Sequence, residues 1–530
     1  MASPDGKGIG KVIFSSSLGT LIEWYDFYIF GMLAKTIAVQ FFPEGNETAA
    51  LLSTLAIFAA GFLVRPFGAL VFGRLGDMIG RKSTFLLTLV LMGGSTFLIG
   101  LVPGYRSIGI AAPLLVLLLR LVQGLALGGE YGGAATYVAE HSPANKRGYY
   151  TSWIQTTATL GLFVALGVIM AVKSNMSDAT FNMEWGGWRY PFWISILLVG
   201  VSIYIRLKMS ESPLYAKLKK EGKTSVNPLK ESFGHRANFK MVLLALFGAV
   251  MGQGVIWYTG QFYAQSFLEN AIKIEFMQNR EILLWGIGLA TPFFLVFGAL
   301  SDRIGRKWIM LTGMLLGVIF YRPIFNTFLK DANPKQWVAD MNNITVDETK
   351  VKTTADTLQL NNRTQVVTHR ERVLNYQGNQ FTEKTTDTSD VSSAVPGTVP
   401  GLSKSNSSNM QPARVGATTY SDVVLESGLQ WKFTFLVWCM IIFVTMAYAP
   451  IAAFLVELFP TRIRYTSMSL PYHIGNGVFG GLVPFIATLL STSFANDPLV
   501  GLWYPIGIAA LCFVIGALYL SNKIDQNIHN

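Results

Sequence analysis

Charge is scarce in this chain. Charged residues make up 14% of its 530 positions and hydrophobic residues 51%, whereas a soluble globular chain carries about a quarter charged. Cysteine is nearly absent: Cys439 and Cys512 both sit inside apolar runs, which excludes a secreted disulfide scaffold. Among five histidines and two cysteines no cluster has metal-ligand spacing, and the sequence holds neither a GxSxG elbow nor a GxxxxGK[ST] phosphate loop. An enzyme and a primary pump therefore lack their usual sequence supports, and no metal or cofactor is expected. The 36 Phe, 20 Tyr and 12 Trp exclude a disordered chain. The net charge of +11 does not mark a nucleic-acid binder, because the basic residues fall in short gaps between apolar runs, the pattern of membrane topology.

Long, nearly uncharged apolar runs are what the chain has in abundance, so it reads as a polytopic all-α membrane protein embedded in the lipid bilayer. Twelve spans are expected, near 12–40, 52–73, 84–102, 111–139, 150–172, 190–208, 241–268, 281–301, 308–329, 431–457, 470–491 and 499–521. Most are apolar all round rather than striped. The polar opening lacks a cleavage signal, so the first run reads as a retained signal-anchor. Loops on one side hold Lys7, Lys11, Arg74, Arg81, Lys82, Lys146, Arg147, nine Lys/Arg from Arg206 to Lys240, Arg303, Arg306, Lys307, Arg462, Arg464 and Lys523. Short loops on the other side hold only Arg106, Lys173, Arg189, Lys273 and Arg280. This asymmetry places both termini in the cytoplasm of a cell-membrane protein.

The chain repeats itself. Gly73-Arg-Leu-Gly-Asp77-Met-Ile-Gly80-Arg81-Lys82 follows the second span, and Gly298-Ala-Leu-Ser-Asp302-Arg-Ile-Gly305-Arg306-Lys307 follows the eighth. Glu140-His-Ser-Pro143-Ala-Asn-Lys-Arg147 follows the fourth, and Glu457-Leu-Phe-Pro460-Thr-Arg462-Ile-Arg464 the tenth. The first pair is offset by 225 residues and the second by 317. The excess matches one hydrophilic gap, 330–430. The expected organisation is a six-helix bundle at 1–208, a cytoplasmic loop at 209–240, and a second bundle at 241–329 and 431–521. An extracytoplasmic insertion at 330–430 and a cytoplasmic tail at 522–530 complete it. Parallel halves of this kind form transporters with the substrate site between them at the midplane. The insertion is nearly neutral, with 10 Lys/Arg and 11 Asp/Glu. Its β-branched residues around Ile344–Val351 and Thr364–Val367 suggest short strands, and 384–415 reads as flexible linker. N-x-S/T triplets start at Asn46, Asn175, Asn343, Asn362 and Asn406, all on the expected outer side, which permits glycosylation.

The paired loops resemble the signature loop of the major facilitator superfamily. More narrowly, the chain is similar to its metabolite:proton symporter branch, a relative of the sugar porters. That match is carried by Gly19-Thr-Leu-Ile-Glu23-Trp24-Tyr25-Asp26-Phe-Tyr-Ile-Phe-Gly31 in the first span and by Arg120-Leu-Val-Gln123-Gly-Leu-Ala-Leu-Gly128-Gly129-Glu130-Tyr131-Gly132-Gly133 in the fourth. Glu457-Leu-Phe-Pro-Thr-Arg462-Ile-Arg464-Tyr465 completes it. The resemblance covers nearly everything outside 330–430. It implies a major facilitator fold and proton-coupled import of a small polar metabolite, an organic acid or a zwitterion. An uncoupled facilitator or a solute sensor of the same fold is the alternative. One chain already holds both halves of the pathway, so a functional monomer is expected.

Charges inside membrane helices cost at least about 2.5–3.5 kcal/mol each on insertion scales, so each needs a reason. Asp26 and Glu23 are three apart on one helical face. An Asp26–Arg120 pair across two helices reads as a proton switch or as a structural ion pair. By analogy with proton-coupled sugar porters, Asp26 takes the proton and Arg120 answers it. Glu130, between glycines, reads as a second protonatable group, a substrate ligand or a helix-packing hydrogen bond. Arg65, before Pro66, reads as a snorkelling or loop-supporting residue, as does Arg322. Neutral hydrogen-bonding groups for a polar cargo are expected from Tyr25, Gln155, Gln253, Tyr258, Gln261 and Asn476. The resemblance also implies a cytoplasmic latch of two clusters, one of Asp77, Arg81, Glu140 and Arg147, the other of Asp302, Arg306, Glu457 and Arg462. The acidic members set this apart from plain positive-inside charge, which needs only Lys and Arg.

Overall fold

The computed structural model describes residues 6–522 except 80, 130–133, 137, 140–141, 208–229, 231–232, 341–342, 361–362, 392–413, 416–417, 460–463 and 495. Within helices, several stretches, 73–74, 76–79 and 81–85 among them, are described as backbone only. The expected loop 209–240 lies largely outside the described residues, and so does the tail beyond 522.

The apolar runs form helices. They are α1 (Gly6–Met32), α2 (Glu47–Phe72, continuing to Ile79), α3 (Arg81–Ile99), α4 (Ala111–Gly128), α5 (Arg147–Ser174) and α6 (Tyr190–Leu207). A second set follows: α7 (Arg236–Asn270), α8 (Phe276–Ile304), α9 (Arg306–Asp331), α10 (Ser427–Leu458), α11 (Thr466–Ser493) and α12 (Val500–Tyr519). Among the described residues nine helices are long and apolar enough to cross a membrane. The helices α1, α3 and α6 fill the stretches expected for the first, third and sixth spans. Local sequence sets the ends: Asn46 caps α2 by accepting the Ala49 amide, and Gly305, at φ +98°, makes the turn from α8 into α9. Two breaks in the α-helical ladder matter later. Helix α7 has π-helical stretches at Leu246–Val250 and Thr259–Tyr263, and α11 has one at Ile474–Gly480, a feature that often marks functional sites.

In the first half, α1 packs on α5 and α6, and α4 on α2 and α3. Glycine permits the α2–α4 contact: a Cβ on Gly124 would lie 1.8 Å from the Gly61 carbonyl oxygen. In the second half α7 packs on α11 and α12. The halves meet along two seams, α5 with α8 and α2 with α11.

The chain divides into two compact units, one of Met1–Ser266, Ile282–Asn326 and Thr434–Asn530, the other of Phe267–Glu281 and Thr327–Phe433. The second unit holds a five-stranded antiparallel sheet of β1 (Ile344–Leu360), β2 (Arg363–Tyr376), β3 (Asn379–Val391), β4 (Arg414–Val415) and β5 (Thr419–Val424). The strands are longer than the short ones expected. Alternating Thr, Val and charged side chains suit a two-faced ladder over their whole length, and the two-residue turn Gln377-Gly378, with φ of +50° and +88°, fixes the β2–β3 register. Residues 384–391, expected as linker, belong to β3. Trp337 stacks on Tyr376 and packs against Phe381 to form the unit's small core. Val423 exchanges backbone hydrogen bonds with Lys273 and Glu275, and the Gln278 amide bonds both backbone groups of Leu425. These contacts tie β5 to the α7–α8 connection.

Candidate functional site

Three ionisable side chains lie at the centre of the helical unit, and none is ion-paired. Asp26 is 0% exposed. Its carboxyl faces α3 and α6, where a Cβ on Gly93 would lie 3.3 Å from Asp26 Oδ2. Ser195 lies beside it as its polar neighbour. Arg120 is equally buried. It donates to Gln123 Oε1 at 2.7 Å and to the carbonyls of Phe27 and Phe58 at 3.3 and 3.5 Å. Its guanidinium lies 4.0, 4.7 and 5.0 Å from the ring centres of Phe27, Phe30 and Phe58. Gln123 in turn donates to Thr96 Oγ1 at 2.6 Å. The expected Asp26–Arg120 ion pair is absent: amide, carbonyls and rings take up the guanidinium, while the carboxyl points to the other side of α1. Glu23 is also buried on α1.

Arg65 departs furthest from expectation. It does not snorkel but is 0% exposed. Its guanidinium lies 4.0, 4.4 and 5.3 Å from the rings of Phe62, Phe27 and Trp24. Nε and Nη2 have no hydrogen-bond partner. Across the α2–α11 seam, Gly477 stands where a Cβ would be 3.7 Å from Arg65 Cδ, and Tyr28, Tyr258, Tyr472 and His473 surround the charge. Position along the helix was the missed signal. Arg65 lies about midway between Glu47 and Ile79, a helix of roughly 50 Å, and its side chain cannot reach either end.

The neutral candidates divide. Gln253 and Asn476 bond each other reciprocally, at 3.1 and 3.0 Å, joining the segment between the π-helical stretches of α7 to the π-helical stretch of α11. Tyr25 donates to the Pro191 carbonyl at 2.8 Å and so ties α1 to α6 rather than facing a cargo. Tyr258 packs edge-on against Phe62 with an unpartnered hydroxyl, and both amide atoms of Gln261 are unpartnered. Gln155 is fully buried on α5. Buried His473 of α11 has both ring nitrogens unpartnered. Arg322 takes the modest place expected, half-exposed and 2.9 Å from Asp497.

The halves close over this region at both ends. At one end Asp302 of α8 accepts the amides of Gly148 and Tyr149 at 2.7 and 2.8 Å, so it caps the N-terminus of α5 from the other half. Arg306 bonds Asp302 at 2.7 Å and Glu457 at 3.0 Å, and Arg147 reaches Glu457 at 3.2 Å. Two glycines allow this approach: a Cβ on Gly148 would lie 2.6 Å from the Gly298 carbonyl oxygen. Arg147, expected in a cluster of its own half, bonds Glu457 of the other. Glu130, Glu140 and Arg462 lie outside the described residues, and Asp77 and Arg81 are described only as backbone in α2 and α3. At the opposite end Gln265 donates to the Met32 carbonyl at 3.3 Å, and Phe262 packs on Tyr28 and Phe58.

Comparison with known proteins decides the family. The model of the "Sugar (and other) transporter" family matches residues 12–344. The chain belongs to this transporter family. An inner membrane metabolite transport protein of Escherichia coli K12 is 39% identical over 332 residues, covering 61% of this chain and 74% of that protein. A proline/betaine transporter and an alpha-ketoglutarate permease of the same strain are 34% and 36% identical, covering 65% and 75% of their lengths. The fold is that of the xylose transporter XylE of E. coli in a partially occluded inward-open conformation, at 15% identity, TM-score 0.62, and coverage of 97% of this chain and 98% of that chain. The chain is thus a multi-pass membrane transporter of the major facilitator type, not an enzyme. The family match ends at 344, where β1 begins.

Proposed function

We propose that this transporter is a proton-coupled symporter of a small carboxylate-bearing metabolite, working by alternating access. The observation that carries the reading is the Asp26 carboxyl, sealed between α1, α3 and α6 with Ser195 beside it and, among the described residues, no cation paired with it. Sealing an ionised carboxylate without a partner costs several kcal/mol, so in this closed arrangement Asp26 holds its proton. Opening one end hydrates the carboxyl and lets the proton leave. Glu23, three residues away, stands in reserve on the same helix. The charged latch of Arg147, Asp302, Arg306 and Glu457 supports the gate. It joins the halves through contacts that can be made and unmade as they rock. The Lys/Arg-rich loops argue that this latch faces the cytoplasm and that 330–430 lies outside. The likeness to a proton:xylose symporter fold is in keeping with coupling.

The test is uptake into sealed proteoliposomes with and without an inward proton gradient. Wild-type protein should accumulate solute only with the gradient. Asp26→Asn should lose accumulation and keep counterflow exchange. Gradient-driven accumulation at the wild-type level in Asp26→Asn discards Asp26 as the coupling site, and gradient-independent transport by the wild type favours the uncoupled facilitator.

A further inference from the structure

We infer that Arg65 is the anchor for the carboxylate of the transported solute, and that the site takes molecules with one carboxylate and an apolar or quaternary-ammonium far end, rejecting di- and tricarboxylates. This inference rests on the transporter reading above and narrows its cargo.

An inventory of buried cations leads to Arg65. Arg147 and Arg306 are held by acids in the latch. Arg280 is paired with Glu269 and Lys173 with Asp178. Arg189 and Lys307 donate to backbone carbonyls, at 2.8–2.9 Å and 2.7–2.8 Å. Arg464 donates to the Phe459 carbonyl and Arg120 to Gln123 and two carbonyls. Among the described residues Arg65 is the one of these buried cations with two guanidinium nitrogens unpartnered, and the Tyr258 hydroxyl is its polar neighbour. Three ring faces support it. Rings leave the in-plane N–H groups unused, and a guanidinium fork fits a carboxylate through two parallel hydrogen bonds. Two of its nitrogens, Nε and Nη2, stand unpartnered, as such a contact requires. The Tyr28 and Tyr258 hydroxyls and the His473 ring lie around the same charge, and each can donate one hydrogen bond. The bound carboxylate would lie on the α2–α11 seam, touching both halves, which is where a cargo must sit to govern their closure.

The far end of the cargo follows from charge balance. One carboxylate neutralises Arg65. A second would be sealed in without compensation, because Arg120 is committed to Gln123 and to carbonyls behind Phe27 and Phe58. Near Tyr28 the wall is instead aromatic. Trp24 stacks on Tyr28 at 5.0 Å, and Trp257 lies 5.1 Å from Tyr448. Such rings suit methyl groups or a quaternary ammonium.

The experiment measures binding to purified full-length protein by intrinsic tryptophan fluorescence, using Trp24 and Trp257 as reporters. Glycine betaine, proline, 2-oxoglutarate, citrate and choline are the probes. Glycine betaine or proline should bind saturably, 2-oxoglutarate and citrate at least tenfold more weakly, and choline, which lacks the carboxylate, not at all. Arg65→Gln should weaken the binding about 100-fold, as expected for losing a buried charge-assisted pair, and Arg65→Lys should restore part of it. Dicarboxylate binding as tight as that of the zwitterions overturns the inference, and wild-type protein alone suffices for that comparison if Arg65→Gln does not fold. Undiminished affinity in a folded Arg65→Gln overturns it too, as does the absence of binding by both zwitterions. Selective binding without gradient-driven uptake would instead spare this inference and defeat the coupled-transport reading.

Discussion

Two groups of buried charge stand in the same helical unit, and they are treated in opposite ways. In the latch, Arg147, Asp302, Arg306 and Glu457 are two cations and two anions, and each is bonded to a partner of opposite sign or to a helix N-terminus. In the chamber, Asp26, Arg65 and Arg120 are buried as deeply, yet none touches an opposite charge. Burial is expensive in both places. The latch meets that cost within the protein, so it can hold two halves together. On the proposed function the chamber leaves it unmet at Asp26 and Arg65, where a proton and an anion would meet it. Charge that is paired builds the gate, and charge that is left alone defines what passes.

The sharpest way to break this contrast is Glu457→Gln. Both arginines share this carboxylate, and removing one partner of a buried pair costs about 3–5 kcal/mol. The variant should unfold at lower temperature in detergent. A cysteine introduced at Ser152, in the α5–α8 seam, should label faster than in the otherwise wild-type chain. Unchanged stability and labelling would mean that the latch contributes nothing and that the two charge groups do not differ.

The gate was easier to read from residues than the chamber. Hydropathy, Lys/Arg asymmetry and the repeated loops at Gly73 and Gly298 are local properties, and they give spans and internal duplication directly. Asp302 and Arg306 stand in the second of those loops and Glu457 in the repeated motif after the tenth span, so their charge was visible. That Arg147 joins them was not, because the crossing of α5 and α8 depends on Gly148 and Gly298 meeting across halves more than a hundred residues apart. In the chamber the residue types misled. An Asp and an Arg on neighbouring spans suggest a pair, but the Phe27 ring and the Gln123 amide come between that reading and the geometry. Arg65 was misjudged because the true length of α2, which sets how deep a residue lies, is not evident from its apolar run alone.

Gln123→Leu has a smaller expected effect and tests the chamber side. If Arg120 is held by Gln123 and by carbonyls, the variant leaves a buried guanidinium nitrogen short of a partner and Thr96 without its donor. Each loss of that kind costs about 1–3 kcal/mol, visible as a lower unfolding temperature. A stability equal to the wild type would indicate that Arg120 draws its support from Asp26 after all.

Asp26→Asn should have the smallest effect on stability, although it abolishes accumulation, and that mismatch makes it the most informative variant. Asparagine nearly matches the side chain in shape. Among the described residues no cation is paired with Asp26, and the new amide can donate to Ser195 as a protonated carboxyl would. The change in unfolding free energy should stay within about 1 kcal/mol in either direction, the ordinary range for a substitution that breaks no named interaction. Measured beside Glu457→Gln, it separates a carboxyl kept for its proton from one kept for its ion pair. A loss as large as that of the latch variant would reveal a cation bound to Asp26, and the chamber would then be a second structural cluster rather than a site awaiting its ligands.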